Sequence, residues 1–256
     1  MVLSDPLRVW KQQANLMEGD MRSAKSVGRT VGVLLLVHFF TGLMLPFILV
    51  NPVIASPGYL ENAAANPGLV RASMFLSFVS GLVTVGIAIT AFPIFRRYSE
   101  RLALWFVALS VVSFSLQAVE NGTLLSTLSL SQEYAKRGAA NGELFRVLSV
   151  VVGSARKWAH YLQLLVVVSW MFLLYGVLYR FRLVPRVLCA LGLVGTLLQI
   201  CSVTLRGLLG YPPAFVFAMP LAPIHFALTV WLMAKGFDDR NRPVQAQPHS
   251  VEVAAV

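Results

Sequence analysis

Six apolar runs, each about as long as a bilayer is thick, constrain this chain of 256 residues more than any other feature. They are Val31–Val50, Val70–Phe95, Leu102–Leu125, Trp158–Tyr179, Leu183–Leu209 and Tyr211–Ala234. A spanning helix needs about 20 mostly apolar residues. Inside hydrocarbon the backbone must also satisfy its own hydrogen bonds, which favours helices. The expected fold is therefore all-α: a polytopic membrane bundle of six transmembrane helices. Composition agrees, with 57% hydrophobic and 12% charged residues and a mean hydropathy of +0.72. A soluble domain carries about 25% charged residues, so no second, soluble domain is expected.

The net charge of +10 raises nucleic acid as a partner. The basic residues are spread over short inter-helix loops, however, and form no basic stripe on a soluble surface, so no nucleic acid is expected. Their distribution follows topology. Arg8, Lys11, Arg22, Lys25, Arg29, Arg96, Arg97, Arg101, Arg180, Arg182, Arg186, Lys235, Arg240 and Arg242 fall on one side, fourteen of the 21 Lys and Arg. Arg71, Lys136, Arg137, Arg146, Arg156, Lys157 and Arg206 fall on the other. Short loops rich in Lys and Arg stay in the cytosol, which puts both termini inside. The first apolar run starts too late and runs too long for a cleavable signal peptide. Cys189 and Cys201, both in the fifth run, lie about 18 Å apart along a helix, too far for a disulfide.

Three parts follow. Residues 1–26 carry Leu7, Trp10, Ala14, Met17, Met21 and Ala24 at three- and four-residue steps. That pattern suits an amphipathic segment lying at the cytosolic interface or packing on the bundle's cytosolic ends. Residues 27–237 form the six-helix domain. Residues 238–256 read as a disordered cytosolic tail. Asn51–Leu69 and Ser126–Ala155 are expected to be loops, the second holding a short surface helix from Asn141 to Val152. Pro220 and Pro223 predict a bent sixth helix, and Gly28 and Gly32 have the close-packing GxxxG spacing.

Phe92-Pro93-Ile94-Phe95-Arg96-Arg97-Tyr98-Ser99-Glu100 with Leu102-Ala103-Leu104 is one distinctive stretch. Tyr179-Arg180-Phe181-Arg182-Leu183-Val184-Pro185-Arg186 with Leu191-Gly192-Leu193-Val194-Gly195 is a second, and Trp231-Leu232-Met233-Ala234-Lys235-Gly236-Phe237 a third. In this order and spacing they resemble the bacterial family called domain of unknown function 4386, over roughly residues 26–237. The resemblance implies a six-helix protein of a bacterial cytoplasmic membrane and supplies no activity.

Ionisable groups inside a bilayer are costly and mark candidate sites. His38 lies nine residues beyond Arg29, and His225 ten before Lys235, so both sit about 14 Å from the cytosolic boundary. Ser110, Ser113 and Gln199 fall near the same depth, making a central polar layer. Glu120 lies nineteen residues beyond Arg101, about 28 Å up and close to the outer boundary. His160, Lys157, Arg206, Arg71 and Gln117 join it there, and a carboxylate among cations suits an anion or headgroup pocket. The plainer readings are a histidine bonded to a carbonyl or hydroxyl, and charges snorkelling at helix ends.

No GxSxG, HExxH, CxxC, P-loop or DxxD motif is present, and no Lys stands mid-helix. Three readings remain. The first is a protein that binds membrane lipids or a small hydrophobic molecule through the outer pocket, or assembles there with a membrane partner or a second copy. The second is a redox protein with haem or a metal on His38 and His225. The third, a small transporter, lacks the expected internal repeat.

Overall fold

The computed structural model describes residues 6–54, 59–137 and 142–239, with side chains described from residue 23 onward except 54, 59, 212, 213 and 215. No strand occurs among them, and six helices are long and apolar enough to cross a membrane. The spans are α1 (Pro6–Met44), which continues through a π-helical stretch at Leu45–Val50, and, after the short helices α2 (Asn51–Ile54) and α3 (Tyr59–Ala65), α4 (Pro67–Tyr98). Then come α5 (Glu100–Arg137), α6 (Gly142–Arg180), α7 (Arg186–Val203) with a π-helical end at Thr204–Leu208, and α8 (Leu221–Lys235).

Each span packs on the next in the chain, and α8 returns against α1, so the six close into a ring. Short connections between antiparallel helices make this order the natural one. The ring's centre is filled by Leu35, Ile87, Phe95, Phe106, Trp170, Leu174, Tyr175 and Leu228, all fully buried. The end holding Lys25, Arg97 and Lys235 is called basal here, and the opposite end distal.

Two long loops expected from the sequence are largely helical. Between Ser126 and Ala155 every described residue belongs to α5 or α6, with 138–141 outside the described residues, and the surface helix expected from Asn141 to Val152 continues from Gly142 into the fourth span as one helix. The hydroxyls of Ser126, Thr127, Ser129 and Ser131 donate to the carbonyls four residues back at 2.8–3.1 Å, so these side chains do not draw the backbone out of the helix. Glu133 adds an ion pair to Arg137 at 2.6 Å one turn on. At about 1.5 Å per residue, the 38 residues of α5 measure about 57 Å. The α5–α6 hairpin therefore extends well past a hydrocarbon core of about 30 Å. A small second core of Val53, Ala63, Val70, Leu124 and Leu128 ties α3 to it.

Residues 6–26 are continuous with the first span in α1, while 1–5 lie outside the described residues. Pro46 is absorbed by the π-helical stretch, whose wider turn accommodates the missing donor. The sixth apolar run is divided: a 3₁₀ helix covers Pro212–Ala218, and α8 starts only after Pro220. Asp238 and Asp239, expected in the tail, are ordered; residues 240–256 lie outside the described residues.

Gly28 and Gly32 are where α1 meets the end of α8. A Cβ on Gly28 would strike the backbone of Gly236 and Phe237, and one on Gly32 would lie 2.7 Å from the Met233 nitrogen. The GxxxG spacing therefore does allow the backbones to touch.

Candidate functional site

Polar side chains gather at three levels. At the distal end, α5 and α6 run antiparallel, with Tyr134 against Phe145 at a ring separation of 5.6 Å. The same register sets Glu120 opposite His160, and His160 Nδ1 lies 2.8 Å from Glu120 Oε1 with both side chains partly exposed. An unpaired carboxylate at this depth would lose solvation, and the imidazole restores a partner. Arg156 and Lys157 stand four and three residues before His160 on the same face of α6.

Gly207 receives the ring of Tyr161: a Cβ there would lie 2.5 Å from Tyr161 Cδ1. This close approach brings the π-helical end of α7, and with it Arg206, beside the His160–Tyr161 step of α6. One turn deeper, Gln117 donates to the Ser77 hydroxyl of α4 at 2.9 Å. Arg71 is exposed on α4, more than a turn beyond Ser77. Thus Glu120 and His160 are in contact, Gln117 turns to Ser77, and Arg71 stands on the rim.

At mid-depth, His225 is buried and its Nδ1 lies 3.1 Å from the Tyr175 hydroxyl. The α7 backbone opposite Tyr175 is Gly192, where a Cβ would overlap the ring; only a glycine lets this tyrosine turn toward His225. Among the described residues, the buried His225 Nε2 and Trp170 Nε1 meet no hydrogen-bond partner. His38 is half-buried with its ring 5.8 Å from that of Trp170, while Phe39 lies 6.2 Å from His225.

Ser110 is fully buried and donates to the Val107 carbonyl at 2.7 Å; Ser113 is buried and Gln199 half-buried. Among the described residues no three metal-binding side chains come together, so His38 and His225 fall short of the usual zinc set of three or four. The ring of Trp170 packs beside His38 and that of Phe39 beside His225. An apolar groove of ≈ 510 Å³, lined by Leu36, Phe40, Phe226, Val230, Met233 and Ala234, opens sideways between α1 and α8.

Two polar links went unread in the sequence. Thr41 and Ser80 share a 2.8 Å hydrogen bond between α1 and α4, both buried. Their signal was weak, since hydroxyls near mid-membrane usually bond their own helix. At the basal end, Asp239 accepts from the Tyr98 hydroxyl and pairs with Arg97 at 3.4 Å, while the Asp238 amide donates to the Leu183 carbonyl at 2.9 Å. Phe95 contacts Phe237, and Tyr98 stacks on Phe181 at 4.8 Å. The signal there was compositional: Arg96, Arg97 and Arg101 share one turn in an acid-poor chain, and two carboxylates follow Phe237 directly. The three stretches that carry the family resemblance converge on this one knot.

The closed ring of six apolar helices defines a multi-pass membrane protein of the helical-bundle class. The family model described as a domain of unknown function, DUF4386, matches residues 30–236, and the chain belongs to that family. No curated protein and no solved structure matches it.

Proposed function

We propose that this is a non-catalytic membrane protein, inserted in a bacterial cytoplasmic membrane with both termini in the cytosol, that binds an amphiphile with an anionic, phosphate-type head at its distal end. The orientation rests on the Lys and Arg bias, fourteen of 21 lying on the terminal side. The observation that carries the binding reading is the partly exposed His160–Glu120 pair at 2.8 Å, set at headgroup depth and flanked on its own helix by Arg156 and Lys157. Glu120 holds the imidazole in place, and the cations of α6 and α7 supply attraction for a phosphate oxygen. The acyl chains of such a ligand stay in the bilayer beside the bundle, so no deep cavity is required.

Native mass spectrometry tests the reading. The protein, purified in a neutral detergent, is offered phosphatidylglycerol and phosphatidylcholine with the same acyl chains. Preferential retention of the anionic lipid is expected, with the preference lost in the Lys157→Ala, Arg206→Ala double variant. Equal retention of the two lipids by the unaltered protein, or a preference untouched by the double variant, refutes the proposal.

A further inference from the structure

The first and last spans, α1 and α8, meet backbone to backbone at Gly28 and Gly32. Further along, the apolar groove of ≈ 510 Å³ opens between Leu36 and Phe40 on one helix and Phe226, Val230, Met233 and Ala234 on the other. The helices touch again where Phe39 packs on Phe226 at 5.7 Å. From Phe226 to Ala234 the groove runs about 12 Å, close to one leaflet of a hydrocarbon core about 30 Å thick. Over that length its volume gives a width of about 7 Å. A helix with its side chains measures about 10–12 Å across. The slot therefore suits an acyl chain and is too narrow for a partner helix.

Its basal mouth carries charge of one sign. Lys25, Arg29, Val33, Leu36 and Phe40 share one stripe of α1 about 80° wide, so two exposed cations stand in line with the groove wall. Arg29 Nη2 donates to the Ala234 carbonyl at 3.4 Å. Ala234 itself lines the groove, so the guanidinium lies across its mouth. An arginine has five N–H donors, and this bond uses one of them. Lys235, also exposed, follows directly on α8.

Among the described residues no carboxylate pairs with Lys25, Arg29 or Lys235. Asp239, a few residues further on, is taken up by Arg97 and Tyr98. An apolar slot ending at unneutralised cations matches an amphiphile with an anionic head, and a guanidinium holds phosphate oxygens in pairs. A zwitterionic head brings its own cation and gains less from such a mouth.

We infer that the α1–α8 groove is a second lipid site, separate from the distal one, which seats an acyl chain of an anionic phospholipid with its phosphate on Arg29 and Lys25.

Photolabelling in vesicles tests the inference. The protein is reconstituted in equal amounts of phosphatidylglycerol and phosphatidylcholine, one or the other carrying a diazirine in an acyl chain, and adducts are mapped after irradiation. Adducts at residues 36–40 and 226–234 are expected to be severalfold more abundant with the phosphatidylglycerol probe. The preference is expected to vanish in the Lys25→Gln, Arg29→Gln double variant, whose exposed positions leave the helical content unchanged. Val230→Trp, which fills the groove and spares the cations, is expected to lower the adducts of both probes. The Lys157→Ala, Arg206→Ala variant is expected to keep the preference, which separates this site from the distal one. Equal labelling by the two probes, a preference that survives loss of Lys25 and Arg29 or disappears with Lys157 and Arg206, or adducts undiminished in Val230→Trp would each overturn it. So would shielding of both segments from both probes, the result of a second copy docked there.

Discussion

Glycines of this chain fall into two groups that the sequence does not distinguish. Gly28 sits where α1 touches the backbone at Gly236 and Phe237, and Gly236 itself has a φ of 72° against the backbone of Lys25. Gly42, on the same helix, has no atom of the described residues within 4 Å of where a Cβ would stand. Overpacking a tight contact costs about 1–3 kcal/mol, whereas alanine in an open helical position gains about 0.5–1 kcal/mol over glycine. Gly28→Ala is therefore expected to lower the unfolding temperature in detergent and Gly42→Ala to raise it slightly. Equal shifts in the same direction would contradict the close α1–α8 contact. The carboxylate of Asp239 is a second case: its value lies in the guanidinium of Arg97 and the hydroxyl of Tyr98, which come from a different part of the chain.

At the scale of elements, hydropathy located the six spans because lipid selects strongly for apolar side chains over about 20 residues. It did not locate where the helices stop. Beyond the bilayer the criterion vanishes, and α5 and α6 continue through a serine- and threonine-rich stretch because those hydroxyls bond their own helix and Leu124 and Leu128 find a core. Glu120 and His160 could be matched by counting residues from the basal turn, since both helices are regular between. Gln117 with Ser77, and Thr41 with Ser80, depended on the rotation of each helix, which a weakly amphipathic sequence does not fix.

The unbroken α6 has a direct consequence. Gly153→Pro removes a helical hydrogen bond and sets the ring against the preceding turn, a loss of about 3 kcal/mol. Gly153→Ala, with open space around it, should be neutral or stabilising. A proline tolerated at 153 in thermal unfolding would mean that a loop lies there instead.

Across the whole molecule, the two ends are built differently. The basal end is a structural knot, in which segments from α1, the α4–α5 turn, the α6–α7 turn and the chain after α8 lock together. The distal end holds the partly exposed Glu120–His160 pair, the cations around it and the projecting α5–α6 hairpin. That division has meaning only if the two ends face different compartments, the distal one outward. Single cysteines report this directly, in a Cys201→Ser background that removes the exposed native thiol. One replaces Ser99 in the basal turn, and the other replaces the exposed Ala135 at the distal end of α5. With a membrane-impermeant maleimide added to intact cells, Ala135→Cys should be labelled and Ser99→Cys only after the membrane is opened. Labelling of Ser99→Cys in intact cells, with Ala135→Cys protected, would turn the headgroup site toward the cytosol and contradict the proposed function.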